Sequence, residues 1–403
     1  MTTLRPTALI EQCRIIVCVG TGGVGKTTVA AAVAAEAASR GRRALVLTID
    51  PARRLADALG VDQLGGEPQE LPDATCDALG VGSQGRLFAM MLDMKSTFDG
   101  LVERFADSPE AVDRILGNRI YQHVSDALAG SSEYAAMERV YEISEQSDFD
   151  VIVVDTPPSQ HALDFLDAPQ RLIEFLDSRI VQLLVHPAFV AGRLGFKLFH
   201  RASHTALKLI ERASGVSFIE DLSEFLMAFE VMSEGFRERA SRVRKLLLGP
   251  DSGFILVAGP SRETARSAGE FLGHLKGSGV PMAGVVVNRV RLWPGGETNE
   301  APPAALLDGR DLRREESLLA SALEGQFADA AEAKTAARAA LSVARGYASL
   351  VQLDERSSAP LRERAQREGL FVRQIPELSG DIHDLAGLRE IAQHLFRDPS
   401  EGD

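Results

Sequence analysis

The chain has 403 residues, with 44 basic and 57 acidic side chains and a net charge of −13. An apolar fraction of 45% is enough for a buried core and excludes a chain that is disordered throughout. The acidic balance argues against nucleic-acid binding, which needs a surface that neutralises phosphates.

The cysteines and the first residues indicate a compartment. Cys13, Cys18 and Cys76 form no CxxC pair and no cluster with histidine, so we expect neither a disulfide framework nor a zinc site. Residues 1–11 lack the apolar core of a signal peptide, and no stretch approaches the roughly 18 apolar residues of a membrane-spanning helix. We expect a cytoplasmic protein, with a peripheral position at a membrane left open.

Short apolar runs alternate with helical patterns along most of the chain. Runs that are rich in β-branched residues and apolar on both faces are typical of parallel strands covered by helices. The runs are Arg14–Val19, Ala44–Thr48, Val151–Val154, Phe254–Val257 and Gly284–Val287, with Leu370–Ile375 as a weaker candidate. We predict an α/β fold with a doubly wound, mostly parallel sheet.

Two segments depart from this alternation and suggest an inserted helical subdomain. The segment 87–146 is mostly helical in pattern, with a helix start at Ser108-Pro109-Glu110. The segment 168–248 is a long helical stretch between two predicted strands. Outside both segments, residues 293–310 are rich in proline and glycine and predict a mobile surface loop. The predicted division is a core of residues 1–86, 147–167 and 249–398, a helical segment 87–146, a helical insert 168–248 and a frayed tail 399–403.

A glycine-rich loop follows the first strand and opens a helix. Its spacing, G-x-x-x-x-G-K-T, is that of a phosphate-binding loop, in which backbone N–H groups and a helix dipole face phosphate oxygens. We expect Lys26 to bridge the β- and γ-phosphates and the Thr27 hydroxyl to ligate Mg²⁺. The predicted phosphate-binding residues are Gly20, Thr21, Gly22, Gly23, Val24, Gly25, Lys26, Thr27 and Thr28.

An aspartate follows the second predicted strand, in the sequence Asp50-Pro51-Ala52. A carboxylate at this end of a parallel strand lies where ligands bind in such folds. Asp50 can therefore accept a hydrogen bond from an attacking water and orient it at the γ-phosphate. Because Asp-Pro-Ala also suits the first turn of a helix, a capping role is the alternative.

A second aspartate ends what we predict as the third strand. The four apolar residues of Val151–Val154 followed by Asp155 form the Walker B pattern, whose carboxylate lies near Mg²⁺, often through water. Pro157 and Pro158 stiffen the loop that follows, which is a natural place to sense the γ-phosphate.

Together these residues resemble the family of arsenite-pump (ArsA) and tail-anchored-protein targeting (guided-entry) ATPases, over about residues 14–396. That family belongs to the dimerising P-loop NTPases with a deviant Walker A loop, whose other branches include the MinD and ParA types. Asp50-Pro51-Ala52 is similar to its first switch, and Asp155–Leu163, with His161, is similar to its second. The Asp-Pro-Ala sequence and the histidine spacing favour this branch.

The resemblance implies an ATPase that uses ATP and Mg²⁺, with Lys26 and Asp50 as catalytic residues. Two subunits, either two copies of this chain or this chain and a paralogous ATPase, would close face to face around the nucleotide. Asn288 is similar to the family's adenine-reading residue, and Pro376 and Glu377 to the loop that closes over the base. The implied task is the handling of a hydrophobic client or a membrane protein.

The sequence departs from the family pattern in ways that bear on function. Thr21 stands where the family has a lysine that acts on the partner subunit's phosphates, and Arg53 or Arg54 could replace that charge. The alternatives are a weakened ATPase, or a related partner that supplies the lysine. The CxxC pair with which eukaryotic targeting members hold a zinc across the dimer is absent, so a dimer would rest on nucleotide and apolar contacts. The arsenite-binding cysteines and a second fused ATPase half are also missing, so an arsenite-pump role is not expected.

The insert carries two apolar features with several interpretations. A stripe from Leu222 to Phe236 fits ordinary helical packing. The segment Leu183–Phe199 fits core packing, a groove that shields a client's transmembrane helix, or a membrane-surface helix. His200 and His204 are spaced for one helix face, but no third metal ligand is evident.

Two other functions remain open. Thr21 motivates a weakly active regulatory subunit that binds ATP within a heterodimer. A MinD- or ParA-like positioning ATPase would be recruited to lipid or DNA by ATP alone. The acidic balance and the absence of a terminal basic amphipathic helix disfavour this second alternative.

Overall fold

The computed structural model describes residues 5–50, 52–118, 121, 132–157, 174, 235, 238–294, 301–308, 312–378 and 385–397. Within these ranges eight strands form one sheet. The strands are β1 Ile15–Gly20, β2 Arg43–Thr48, β3 Gln69–Glu70, β4 Arg86–Met91, β5 Val151–Asp155, β6 Ser252–Ala258, β7 Met282–Val290 and β8 Phe371–Pro376. Their order is β3-β4-β2-β5-β1-β6-β7-β8, and the pairings are parallel except between the short edge strand β3 and β4.

Helices alternate with these strands and confirm the predicted α/β class. They are α1 Pro6–Gln12, α2 Lys26–Ser39, α3 Arg54–Leu59, α4 Asp73–Leu79, α5 Met94–Phe105, α6 Pro109–Gly117, α7 Ser132–Gln146, α8 Arg262–Gly277, α9 Ala304–Asp308, α10 Leu312–Leu323, α11 Ala330–Arg367 and α12 Leu385–Phe396. Residues 238–247 are also helical. None of the described helices is long and apolar enough to cross a bilayer.

The sheet is covered on both faces, which explains why its central strands read as continuous apolar runs. Alternate residues of a strand point to opposite faces, so Ile15 and Val17 join one core and Ile16 joins the other. Helices α1, α2 and α12 pack on the face of Ile16. Helices α5, α7 and α8 pack on the opposite face. The core is therefore two apolar layers separated by the sheet.

The carboxyl end of β1 is the point where the strand order reverses. The chain places β2, β4 and β5 on one side of β1, and β6, β7 and β8 on the other. Neighbouring connections then leave the sheet in opposite directions, which opens a crevice at this edge where ligands of such folds bind. The glycine-rich loop follows β1 directly and lies at this crevice.

Two strands were missed in the sequence, so Val151–Asp155 is the fifth strand and not the third. The segment that we expected to be mostly helical begins with β4, which pairs with β2 along its whole length. Its residues, Arg-Leu-Phe-Ala-Met-Met, include no β-branched side chain, and leucine, alanine and methionine are good helix formers. The position of the strand between β2 and β3 in the sheet overrides that propensity.

The predicted surface loop over residues 293–310 is also partly wrong. Helix α9 lies within it, and Pro302 is buried. The Trp293 ring packs against the Tyr347 ring of α11, with 6.3 Å between their centroids. Trp293 and α9 thus both contact the long helix α11, in a segment whose proline and glycine content predicted a loop.

Most of the predicted helical insert lies outside the described residues. The apolar segment Leu183–Phe199, the stripe beginning at Leu222 and the His200–His204 pair all fall there. Of the insert, residues 174, 235 and 238–248 are described, and all of these except 248 are helical. The division into core, segment, insert and tail stays a prediction.

Candidate active site

The glycine-rich loop has a backbone shape that requires glycine at two positions. A Cβ atom on Gly20 would overlap the carbonyl oxygen of Val257 in the neighbouring strand β6. Gly25 has φ +89°, in the left-handed region, and is the N-cap of α2. The loop therefore leaves β1 against β6 and turns sharply into α2, so the helix N-terminus faces the crevice.

Lys26 begins α2 and turns back over the loop. Its ammonium group donates a hydrogen bond to the Thr21 carbonyl oxygen at 3.0 Å, and the residue is 6% exposed. Burial lowers the pKa of Lys26, and the nearby carboxylates of Asp155 and Asp50 oppose this change. The amine is thus enclosed by the loop, close to the two predicted acidic residues.

The other predicted loop residues differ in exposure. Gly22 and Gly23 are exposed, Val24 is buried, and Thr27 and Thr28 are half-buried in the first turn of α2. The Thr21 hydroxyl is buried and has no hydrogen-bond partner among the described residues. Since a buried hydroxyl without a partner is costly, this atom is available to a ligand of the loop.

Asp155, at the end of β5, is the most deeply buried acid of the site. Its Oδ2 accepts a hydrogen bond from the Thr48 hydroxyl at 2.9 Å, whereas its Oδ1 is buried without a partner in the described part of the chain. Burial raises the pKa of Asp155 to about 6, and the Thr27 and Thr48 hydroxyls and the Lys26 charge oppose the rise. A buried carboxylate oxygen beside a threonine hydroxyl fits a hydrated Mg²⁺ ion.

Thr48 connects the two predicted acidic residues and was not predicted from the sequence. This last residue of β2 is 1% exposed, and its hydroxyl also accepts a hydrogen bond from the Asp50 N–H at 3.2 Å. One side chain therefore joins Asp155 to the backbone of the first switch. The available signal was a hydroxyl at the end of an otherwise apolar strand, two residues before Asp50.

The Asp50 carboxylate makes local contacts before α3. Its Oδ1 accepts a hydrogen bond from the Ala52 N–H at 3.0 Å, and its Oδ2 lies 3.4 Å from the Arg54 guanidinium. The N-cap residue of α3 is Arg53, which makes no side-chain cap. Asp50 thus stabilises the turn before the helix without occupying the cap position.

The second switch begins beside β1. The Thr156 N–H and hydroxyl both donate to the Cys18 carbonyl oxygen, at 3.4 and 2.8 Å. This pair of bonds fixes the start of the switch against the strand that carries the loop. The described residues stop at Pro157, so residues 158–163, with His161, lie outside them.

The residues predicted to contact the base lie at the ends of β7 and β8. Asn288 is 2% exposed, and its amide donates to the Val24 carbonyl oxygen at 2.9 Å. Pro376 pairs with Val290, and the Glu377 N–H donates to the Val290 carbonyl oxygen at 2.9 Å. The fold brings these residues to the same sheet edge as the loop. The contact between Asn288 and the loop was not predicted.

Comparison with known families agrees with this arrangement. A family model described as an anion-transporting ATPase (ArsA ATPase) matches residues 13–302, which include the loop, both aspartates and Asn288. The chain belongs to the ArsA ATPase family.

Several members of this ATPase family are similar to the chain at modest identity. The ATPase GET3B of Arabidopsis thaliana is 26% identical over 280 residues, which cover 67% of this chain and 62% of that protein. The ATPase GET3C of the same plant is 28% identical over 293 residues, covering 70% and 68%. A candidate arsenical pump-driving ATPase of Halobacterium salinarum is 29% identical over 168 residues, covering 42% and 26%. The chain therefore spans about a quarter of the length of the Halobacterium relative and under two thirds of the length of GET3B.

The family match ends before the last part of the described fold. Helices α9, α10, α11 and α12 and strand β8 lie beyond residue 302. Pro376 and Glu377 are in that part, so the family match does not extend to them.

Proposed function

We propose that the chain is a Mg²⁺-dependent ATPase whose nucleotide cycle closes and opens a face-to-face dimer that handles a hydrophobic client or a membrane protein. The observation that carries this proposal is the buried Asp155 oxygen, which has no partner among the described residues, beside a phosphate loop whose lysine is enclosed.

The residues around Asp155 suit a nucleotide with its metal. The Thr27 hydroxyl and, through water, the Asp155 carboxylate would hold Mg²⁺, which would neutralise charge on the β- and γ-phosphates. Lys26, now bonded to the Thr21 carbonyl, would exchange that partner for phosphate oxygens. The loop N–H groups and the N-terminus of α2 would bind the remaining phosphate oxygens.

Hydrolysis requires an oriented water, and Asp50 is the candidate group. Its carboxylate would accept a hydrogen bond from the water and direct it at the γ-phosphate. The Ala52 N–H and the Arg54 guanidinium each contact one oxygen of the carboxylate, and each oxygen keeps a second lone pair for the water. Lys26 and the loop N–H groups would stabilise the charge that develops on the phosphate.

Through Thr48, a change at the γ-phosphate would reach both predicted switch segments. Its hydroxyl donates to Asp155 and accepts from the Asp50 N–H, so a shift of either acid changes the bonding of the other. Loss of phosphate would release both segments together, and the second switch leads into the predicted insert. The insert would then change its hold on a client.

A face-to-face dimer needs a cation in place of the family's lysine at Thr21. The Arg54 side chain is 63% exposed and lies beside Asp50 at the crevice, which supports it as an arm that reaches the partner's phosphates. A regulatory subunit with weak turnover is the second candidate, favoured by Thr21 itself. Turnover no higher than that of the Lys26→Ala variant would favour the regulatory subunit.

Client handling is tested by capture with a variant arrested in the ATP state. Tagged Asp50→Asn protein, expected to bind ATP without hydrolysis, is isolated from native cells and its partners are identified by mass spectrometry. Asp57→Asn is the matched control, because Asp57 is an exposed residue of α3. We expect membrane proteins with Asp50→Asn that are absent with Lys26→Ala. Recovery of a related ATPase alone would contradict client handling and favour a regulatory heterodimer.

A further inference from the structure

Both polar atoms of the Asn288 side-chain amide make hydrogen bonds within the protein. Its nitrogen donates to the Val24 carbonyl oxygen at 2.9 Å, and its oxygen accepts from the Arg289 N–H at 3.0 Å. Arg289 has φ +62°, the single positive φ of a non-glycine residue in the described ranges. Such a backbone is strained for a residue with a Cβ atom and persists where surrounding bonds hold it. The bond from Asn288 is one that holds it.

The contact with Val24 fixes one peptide unit of the phosphate loop. The Val24 carbonyl and the Gly25 N–H belong to the same planar trans peptide, so they point in opposite directions. With the carbonyl held by Asn288, the Gly25 N–H points away from Asn288, into the loop. Glycine at position 25 would otherwise allow this peptide to turn over, because glycine accepts both signs of φ. A turned peptide would aim a carbonyl oxygen at the phosphates.

The packing at Gly25 also shows that Asn288 supports the phosphate loop. A Cβ atom at this position would overlap the Asn288 amide nitrogen. Loop and amide are therefore in direct contact, and Asn288 is 2% exposed behind the loop. Its amide acts as a buried support for the loop.

We propose that Asn288 is a positioning residue of the phosphate loop, which sets the direction of the Gly25 N–H through the Val24 carbonyl. This inference rests on the proposed function, in which the loop binds a nucleoside triphosphate. Asn288 would then have two roles, the expected contact with the base and a positioning of the loop that does not depend on the base.

Inorganic triphosphate separates the two roles because it has phosphates but no base. Dissociation constants for ATP and for inorganic triphosphate, both with Mg²⁺, are measured by calorimetry for the wild type, Asn288→Ala and Asn288→Ser. We expect each variant to bind both ligands about tenfold more weakly, as for the loss of a well-placed buried hydrogen bond. Asn288→Asp keeps an acceptor for the Arg289 N–H but replaces the donor with a negative charge that also repels phosphates, so the uncharged Asn288→Ser is the variant of choice if Asn288→Ala does not fold.

Ser358→Ala is the matched control for a general loss of stability. Ser358 is fully buried in α11, and its hydroxyl donates to the Asp354 carbonyl at 2.8 Å, a contact within the helix. This variant should melt at a lower temperature and bind triphosphate as the wild type does. If the Asn288 variants lose affinity for ATP but bind triphosphate normally, the positioning role is wrong. If the wild type binds neither ligand, the proposed function fails instead, and the inference fails with it.

Discussion

At the scale of single residues, Thr48 links the two acidic residues of the site. It donates to one acid of the site and accepts from the backbone of the other, and it is fully enclosed. Replacement by valine keeps the shape and removes both hydrogen bonds.

We predict that Thr48→Val lowers ATP turnover by at least about tenfold and destabilises the fold by about 1–2 kcal/mol, because the Asp155 Oδ2 loses the hydroxyl that donates to it. Steady-state kinetics and urea unfolding measure the two effects. Thr48→Ser, which keeps the hydroxyl, should retain most activity. Full turnover by Thr48→Val would show that the link between the acids is not used.

The buried Asp155 carboxylate is expected to lower the folding stability of the metal-free protein near neutral pH. Burial raises its pKa from 3.8 to about 6, so the folded state binds a proton more tightly than the unfolded state. Stability of the metal-free protein should therefore fall as the pH rises from about 4 to about 6 and remain lower above that range, by roughly 3 kcal/mol from this group.

Asp155→Asn removes this titration. Relative to the wild type in chelator, the variant should gain about 3 kcal/mol between pH 4 and pH 7.5 in urea unfolding, while its ATP turnover is lost. A stability difference that is the same at both pH values would contradict the pKa shift.

At the scale of elements, a buried ion pair joins the helical residues 238–247 to α7. Glu138 of α7 is 1% exposed, accepts a bond from Arg239 in residues 238–247, and has Arg104 of α5 at 3.9 Å. Burial raises the pKa of Glu138, and the two arginines oppose this. A carboxylate in such a position depends strongly on its partners.

We predict that Arg239→Ala destabilises the protein by about 3 kcal/mol, since it leaves the Glu138 charge largely uncompensated. Arg242→Ala is the control on the same helical stretch. Arg242 is 61% exposed and pairs with Glu238 at 3.5 Å, and loss of such a pair costs under about 1 kcal/mol. Equal unfolding free energies for the two variants would show that the buried pair does not secure this element.

The sequence predicted those parts whose chemistry lies in one short segment. Lys26 and Asp155 were found because a phosphate loop and a strand ending in aspartate are local patterns. The roles of Thr48 and of the Asn288 contact depend on which strands become neighbours, and no local pattern encodes that. Strand β4 was missed because its residues favour helix, and its position between β2 and β3 decides its conformation.

At the scale of the whole molecule, the account predicts a dimer that depends on nucleotide. Asp50→Asn with Mg-ATP should sediment as a dimer, and with ADP as a monomer. Adding Arg53→Ala and Arg54→Ala to this variant should weaken the ATP-bound dimer if either arginine replaces the missing lysine. Unchanged dimerisation in the combined variant would exclude both arginines and favour a partner that supplies the charge.

The central claim is that this chain hydrolyses ATP with Lys26 holding the phosphates and Asp50 orienting the water. The most direct measurement is single-turnover release of phosphate from labelled ATP, together with ATP binding, for the wild type, Lys26→Ala and Asp50→Asn. The account predicts binding and hydrolysis by the wild type, neither by Lys26→Ala, and binding without hydrolysis by Asp50→Asn. Hydrolysis by Asp50→Asn at the wild-type rate would contradict it.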